Sequence, residues 1–254
     1  MIIPLSSKFQ KNTLIETFNE LVKFTGFTSI AANAFDSCSN LQSIYITGKT
    51  SLGNYAFQNC KRLSNMVGLM DVKTIGNYAM AYMEGAPWPN SNARVLGEDV
   101  TSLGEGSIRG YNISGSAWNN VTKKAFIIKE GGTGSLRINN SSIAYDKLEI
   151  VDLPSRTTYL GANINQIPGS GYTQWSTTFI IRSTTPPDKY NTGTLAKIYR
   201  VYVPSESVSA YKGHSEWSSM SSYIYAIGGT EWIAQFGSAD EWADYDMYGV
   251  EHEE

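Results

Sequence analysis

The sequence contains few of the residue types on which polar catalysis and metal binding depend. Among its 254 residues are two histidines and two cysteines. Neither His214 nor His252 has a partner at the spacing typical of metal ligands. A Gly-x-Ser-x-Gly elbow, a phosphate-binding loop and a Gly-x-Gly-x-x-Gly motif are all absent. The sequence therefore predicts a chain that is not an enzyme and that holds neither a cofactor nor a metal ion.

Long apolar runs and strong net charge are missing as well. No segment approaches the roughly 18 apolar residues of a membrane-spanning helix. The N-terminus lacks the basic start and apolar stretch of a secretory signal, from which we expect no Sec export of the chain as given. The net charge of −3 is too small to favour a nucleic-acid partner. The predicted class is a folded chain without membrane insertion.

The first third of the chain repeats itself every 22 or 23 residues. Residues 30–44 align with residues 52–66 at a constant offset of 22, and a third copy begins at Ile75 after a further 23. Weaker copies surround Leu103 and Leu160. One coil of such a repeat cannot bury its apolar side chains, whereas stacked coils place equivalent residues above one another and form a continuous core. The predicted core residues are Ile30, Phe35, Cys38, Leu41, Ile44, Leu52, Phe57, Cys60, Leu63, Ile75 and Leu160.

Small residues mark two further positions of the repeat. Cys38 and Cys60 share one position, where cysteine acts as a small hydrophobic side chain, and Met83 replaces them in the third copy. Because adjacent coils bring the two sulfur atoms near each other, the sequence leaves open whether they form a disulfide. Glycines follow the apolar position that begins each copy, and we expect a turn there. These glycines are Gly53, Gly76, Gly104 and Gly161.

These residues resemble the BspA-type (Treponema pallidum-type) leucine-rich repeat family of gut bacteria and their phages. Its pattern runs Leu-x-x-Ile-x-Ile-Pro and then x-Val-x-x-Ile-Gly-x-x-Ala-Phe-x-x-Cys. Residues 30–46 and 52–66 match it closely, whereas residues 75–83 carry methionine in place of both Phe and Cys. The resemblance is strong over residues 24–83, patchy over 95–110 and fair over 147–227. It implies a β-rich solenoid of leucine-rich repeats with short strands, which presents a surface rather than catalysing a reaction.

The repeat divides the chain into three predicted segments. In residues 1–23, an apolar face formed by Leu14, Phe18 and Leu21 predicts a helix, either a cap or an attachment segment. Residues 24–227 form the solenoid, in which residues 84–146 are irregular coils. Either their projecting loops form a contact surface together with the concave face of the strands, or the irregularity is mere drift in the repeat. A strand-Pro-helix unit over residues 198–212 resembles the closing unit of such proteins and predicts a cap on the apolar end. Residues 228–254 form an acidic, aromatic C-terminal segment.

The C-terminal segment combines negative charge with aromatic rings. From Glu231 onward it carries eight acidic residues and no lysine or arginine. Its aromatics either anchor in a groove on this protein or contact a partner, and the sequence leaves both interpretations open. The candidate partner contacts are Trp232, Phe236, Trp242 and Tyr245.

The expected function is that of an interaction protein, and three hypotheses are compared. The first is a structural or host-binding component of a bacteriophage virion, in a tail, fibre or capsid decoration, which fits the missing export signal. The second is a bacterial cell-surface adhesin that lacks its export signal. The third is a carboxylate-based glycan hydrolase, although neighbouring acids such as Glu98 and Asp99 are typical of a solvated surface. Expected partners are other proteins, including virion proteins or a host-surface protein or glycan, and a homo-oligomer is an open alternative.

Overall fold

Short parallel strands, alternating between two sides of a coiled chain, make up most of the computed structural model. It describes residues 23–24, 28–46, 50–83, 93–109, 125–143, 148–164, 177–190, 198–237 and 239. The seven-stranded sheet contains, in spatial order, β14 (Asp188–Lys189), β12 (Thr157–Leu160), β10 (Leu136–Ile138), β8 (Ser102–Leu103), β6 (Val72–Ile75), β4 (Thr50–Leu52) and β2 (Ser29–Ile30).

Each coil contributes a second strand, and these strands form two smaller sheets. The three-stranded sheet contains β1 (Lys23–Phe24), β3 (Ser43–Ile46) and β5 (Asn65–Val67). The six-stranded sheet contains β16 (Ile224–Ala226), β15 (Ile198–Val203), β13 (Thr177–Ile181), β11 (Ile150–Leu153), β9 (Ala125–Ile128) and β7 (Ala93–Leu96). The described helices are α1 (Val208–Gly213), α2 (Thr230–Phe236) and the 3-10 segments Leu69–Asp71, Ser205–Ser207 and Ser218–Tyr223.

Strand register confirms the stacked coils that the repeat predicts. In the seven-stranded sheet Ile30 pairs with Leu52 and Leu52 with Ile75, so the sequence offsets are also the offsets in space. The ladder continues from Ile75 to Leu103 and from Leu103 to Ile138, with longer stretches of chain between the strands. The fold is therefore the predicted β-rich leucine-rich-repeat solenoid, and its middle coils are longer than its first coils.

The structure places all eleven predicted core residues inside the coils. None of them is more than 5% exposed. Cys38 and Cys60 are free thiols, and the Sγ of Cys60 donates to the carbonyl of Phe35 at 3.0 Å. Burial, together with the neighbouring Cys38, raises the pKa of the Cys60 thiol. Both cysteines therefore act as small apolar residues, and the alternative of a disulfide does not hold.

One coil inside the region predicted to be irregular follows the repeat closely. Ile138 pairs with Leu103 on one side and with Leu160 on the other. Ile138 and Ile143 are both fully buried, five residues apart like Ile75 and Met80. The sequence signal that could have identified this coil is its spacing, in which four polar or small residues separate one apolar residue from the next. Polar residues 139–142 replace the more apolar stretch of the early coils and concealed this match.

The repeat glycines lie where a turn begins, as expected, and where two coils approach closely. The Ala56 N–H donates to the Gly53 carbonyl and the Ala79 N–H to the Gly76 carbonyl, both at 3.2 Å. None of the four glycines has a positive φ, so the close approach, and not the turn conformation, requires glycine. A Cβ atom on Gly76 would lie 2.7 Å from Asn54 Oδ1 and 2.8 Å from both the Asn54 nitrogen and the Gly53 carbonyl carbon. Such a Cβ would meet the backbone of the preceding coil, which cannot move without breaking the strand pairing.

Replacing Gly76 with alanine is expected to lower the free energy of unfolding by about 1–3 kcal/mol, because the added methyl group overpacks two coils. Urea denaturation followed by circular dichroism measures this loss. The matched control is Gly213→Ala at the end of α1, where a Cβ would have nothing within 4 Å. That substitution should change stability by less than about 0.5 kcal/mol. Equal effects of the two substitutions would contradict the close approach.

A cap closes the C-terminal end of the solenoid, as the strand-Pro-helix unit predicts. Tyr211 of α1 and Trp217 are fully buried and pack edge to face, with ring centroids 5.1 Å apart. The Tyr211 hydroxyl donates to the Ser183 carbonyl, and the Trp217 indole N–H donates to the Pro187 carbonyl, both at 2.8 Å. These two bonds fasten the cap to the last coil while the rings cover its apolar end.

The last strand of the seven-stranded sheet carries a charged residue at the apolar position. Lys189 pairs with Leu160 and is buried. Its Nζ lies 4.7 Å from the centroid of the Trp217 ring, which attracts the ammonium group. Burial lowers the pKa of Lys189, and the Glu216 carboxylate opposes this shift. The array of apolar residues in this sheet therefore ends at a lysine under the cap.

Candidate interaction surface

The outer face of the six-stranded sheet is apolar and closed. Its register brings one outward residue from each of β7, β9, β11, β13 and β15 into a row along the solenoid. These five residues are at most 3% exposed and form a second core outside the coils. Tyr225 of β16 follows Tyr202 in the register and is partly exposed. The residues of the row are Val95, Ile127, Asp152, Ile180 and Tyr202. A partner has no access to this row.

Helix α2 lies over one end of that row. Trp232 is fully buried and meets Tyr202 edge to face at 5.1 Å, and Phe236 lies 5.9 Å from the same ring. Burial raises the pKa of Tyr202 to about 12, so that its hydroxyl stays protonated, 2.8 Å from the Glu231 carbonyl. The Gln235 amide accepts from Arg200. Polar as well as apolar contacts therefore hold the helix on the sheet.

These contacts decide between the two interpretations of the aromatic segment for the residues that are described. Trp232 is packed inside this chain, which corrects its expected role as a partner contact. Phe236 packs on the same cluster, with its ring 4.5 Å from that of Trp232. Trp242 and Tyr245 lie outside the described residues. So do residues 1–22 of the predicted helical segment 1–23, whose last residue, Lys23, lies in strand β1.

A buried ion pair interrupts the apolar row. Asp152 lies between Ile127 and Ile180 in the register and is fully buried. Arg182 binds it with two hydrogen bonds, from Nε to Oδ1 at 2.9 Å and from Nη2 to Oδ2 at 2.7 Å. This two-point geometry satisfies both carboxylate oxygens in an apolar setting. The sequence did not reveal the pair, because its partners are 30 residues apart on different coils.

The outer face of the seven-stranded sheet is polar and open. One outward residue of each strand lies in a row, named here the polar row, and none of its members is buried. Its first four members carry hydroxyl groups. Farther along, the guanidinium of Arg137 lies 4.1 Å from the centroid of the Tyr159 ring. The polar row consists of Ser29, Ser51, Thr74, Ser102, Arg137, Tyr159 and Asp188.

An asparagine ladder (Asn54, Asn77 and Asn140) lies beside the polar row. The Oδ1 of Asn54 accepts from the backbone N–H of Asn77 at 2.9 Å, and the Oδ1 of Asn77 accepts from that of Glu105 at 2.9 Å. The Oδ1 of Asn140 accepts in the same way from Ala162 at 2.8 Å. Each bond joins one coil to the next and sets the orientation of the amide. The amide NH2 groups of the exposed Asn54 and Asn77 remain as donors for contacts away from the ladder.

Two tyrosines stack next to this ladder. The rings of Tyr55 and Tyr78 are parallel within 1°, with centroids 5.7 Å apart, and Tyr55 is 36% exposed. We name this pair the tyrosine stack. The Tyr78 hydroxyl donates to Glu105 Oε1 at 3.2 Å. Burial and the Glu105 carboxylate raise the pKa of Tyr78, which keeps its hydroxyl a donor. The sequence placed both residues in the repeat but gave no sign that their rings meet.

The described residues show no arrangement for metal binding and no spanning helix. In the ranges given above, no group of three or more His, Cys, Asp or Glu side chains could hold a metal ion. Over the same part of the chain, the helices are too short or too polar to cross a membrane. The described residues instead form a long exposed polar face on the seven-stranded sheet and a buried apolar face on the six-stranded sheet.

The stacked coils define the class of the protein, a leucine-rich-repeat solenoid. Residues 7–86 match the model of the BspA type leucine rich repeat region, in six copies. This match confirms the BspA-type repeat that the sequence pattern indicates for the first third of the chain. The match begins at residue 7, within the segment predicted to be an N-terminal helix.

The chain is also similar to a solved leucine-rich repeat protein from Bacteroides ovatus. The two are 14% identical with a TM-score of 0.26, and the similarity covers 69% of this chain. It covers 58% of the Bacteroides ovatus chain, so this chain spans little more than half of that protein's length. No curated protein matches the sequence.

Proposed function

We propose that this chain is a non-enzymatic interaction protein whose contact surface is the polar row of the seven-stranded sheet. The observation that carries the proposal is the contrast between the two long faces. The outward row of the six-stranded sheet is buried within the chain, whereas the polar row is accessible at every strand. Repeat solenoids use such extended faces for binding because neighbouring coils present side chains at regular intervals.

The size and chemistry of this face suit a macromolecular partner. Seven strands span about 29 Å at the usual spacing of about 4.8 Å between strands. Hydroxyl groups occupy five strands, four of them from serine or threonine and one from Tyr159, and Arg137 and Asp188 add charges of opposite sign toward the C-terminal end. A mixed polar surface of this kind favours hydrogen bonding over burial of a large apolar patch.

We further propose a bacteriophage virion as the place of action, in a tail, fibre or capsid decoration. The support is the family resemblance, which extends to phages of gut bacteria. A bacterial cell surface is the alternative. Purified virus particles and washed cell envelopes from a producing culture distinguish the two when the chain is quantified in each by peptide mass spectrometry. A constant copy number per particle supports the virion, and recovery in envelopes alone contradicts it.

Site-directed crosslinking tests the contact surface itself. A cysteine at Ser102, in the middle of the polar row, carries a thiol-reactive photo-crosslinker. The native Cys38 and Cys60 are fully buried and therefore do not react. The matched control is a cysteine at Ser205, an exposed serine of the cap. We expect crosslinked neighbours from position 102 and far fewer from position 205. Equal capture from the two positions would overturn the choice of face.

A further inference from the structure

The tyrosine stack occupies backbone positions that do not require tyrosine. Tyr55 and Tyr78 have φ values of 60° and 53°, a left-handed conformation that bulky side chains seldom adopt. The equivalent residues of the other coils have the same conformation and are smaller or more tolerant of it. These residues are Asn33, Gly106, Ser141 and Asn163. Folding of the corner is therefore possible without an aromatic ring, and the two strained tyrosines need a different explanation.

The two rings form a platform rather than a buried contact. Their planes are parallel within 1°, and their centroids are 5.7 Å apart. This distance exceeds the usual spacing of about 4.8 Å between strands, so the rings are offset. The Tyr78 ring also lies against Gly106 of the next coil, so Tyr55 carries the more open ring face. Tyr55 retains 36% of its surface exposed. The negatively charged face of an aromatic ring attracts polarised C–H bonds such as those on one side of a sugar ring.

Hydrogen-bonding groups of both kinds surround the platform. The exposed amides of Asn54 and Asn77 are held by their Oδ1 atoms, which leaves their NH2 groups as oriented donors. Glu105 supplies carboxylate oxygens, one of which accepts from Tyr78. Donors and acceptors beside an aromatic face match the hydroxyl groups of a sugar, which both donate and accept.

Charges of both signs, the Glu105 carboxylate and the Arg109 guanidinium, act on Tyr78, so the surroundings favour a sugar without net charge. The Glu105 carboxylate disfavours an acidic sugar or a phosphate group. A cationic side chain of a partner would fit this site less well. Such a cation would stack on a ring face, whereas Glu105, which would pair with it, lies at the hydroxyl edge of Tyr78. A polar ligand with an apolar side and no net charge fits the whole set of groups.

We infer that the tyrosine stack, with Asn54, Asn77 and Glu105, is a binding subsite for a neutral glycan. This inference rests on the proposed function, since it names the chemistry of a partner that the neighbouring polar row would contact. The successive coils present their groups at nearly equal intervals, so an extended oligosaccharide would run along the solenoid, across the coils.

A glycan array with matched variants tests the subsite. The full chain is applied to immobilised neutral oligosaccharides with cello-, manno-, xylo- and galacto- backbones. Tyr55→Asn and Tyr78→Asn remove one ring each, and Asn33 and Asn163 show that asparagine supports this corner. The control is Tyr190→Ala, because Tyr190 is 59% exposed and lies outside the stack. We expect at least one bound oligosaccharide, a loss of at least tenfold in affinity for each asparagine variant, and no change for the control.

Melting temperatures accompany the binding data and show that the variants remain folded. The inference is overturned if the unmodified chain binds no neutral oligosaccharide at millimolar concentration, or if Tyr55→Asn binds as tightly as the unmodified chain. Tyrosine-dependent binding of a cationic peptide in place of a glycan overturns it as well. Crosslinking from position 102 separates this failure from that of the proposed function, because a captured protein neighbour would leave the polar row as a contact surface.

Discussion

Replacing Phe57 with alanine should lower the free energy of unfolding by about 3–5 kcal/mol. The Phe57 side chain is fully buried and stacks on that of Phe35, with centroids 5.1 Å apart and planes within 3°. Alanine at this position leaves a cavity between two coils. The strand pairing and the corner bonds on either side, such as that from the Phe57 N–H to the Ala79 carbonyl at 2.7 Å, prevent the coils from collapsing into it.

Urea denaturation monitored by circular dichroism measures the effect. The matched control is Tyr223→Ala, an aromatic truncation at a side chain that is 48% exposed. We expect that control to change the free energy of unfolding by less than about 0.5 kcal/mol. An unchanged denaturation midpoint for Phe57→Ala would show that the register placing Phe57 over Phe35 is wrong.

Replacing Asp152 with alanine should also lower the free energy of unfolding by about 3–5 kcal/mol, because the substitution leaves the buried Arg182 guanidinium without its carboxylate. The double variant Asp152→Leu with Arg182→Met should recover most of this loss. The neighbours of Asp152 in the outward row, Ile127 and Ile180, are apolar and fully buried. Apolar side chains of similar volume therefore suit the site of the ion pair.

The single variants Asp152→Leu and Arg182→Met complete a double-mutant cycle, which distinguishes loss of the pair from loss of packing. The control substitution is Asp188→Ala, which removes an exposed acid from the seven-stranded sheet and should leave stability nearly unchanged. A loss below about 1 kcal/mol for Asp152→Ala would contradict a buried two-point ion pair. A double variant as unstable as the single one would mean that the pair itself, and not its apolar replacement, suits this face.

The first coils were predictable because their offset is constant. Ile30, Leu52 and Ile75 recur at nearly equal intervals, and the strand register repeats the same intervals. Beyond Ile75 the chain inserts stretches of different length between one coil and the next. A period then no longer exists in the sequence, although the coils themselves continue, as the pairing of Leu103 with Ile138 shows.

The candidate surface was harder to predict than the core. Burial follows from periodicity, but the stacking of Tyr55 on Tyr78 depends on a left-handed corner that no apolar pattern encodes. The pairing of Asp152 with Arg182 depends on which coils become neighbours. The position of Trp232 was undecided for a different reason, because an aromatic residue in an acidic segment has the same composition whether it docks on its own chain or on a partner.

The lysine at the end of the seven-stranded sheet determines where further coils can be added to the solenoid. Lys189 lies under Trp217, so a coil added after it would have to stack on a charged residue and displace the cap. A coil duplicated between Leu52 and Ile75 would meet matching residues on both sides. Gene duplication, or a protein engineer, can therefore change the number of coils from within the array while its C-terminal closure is inherited intact.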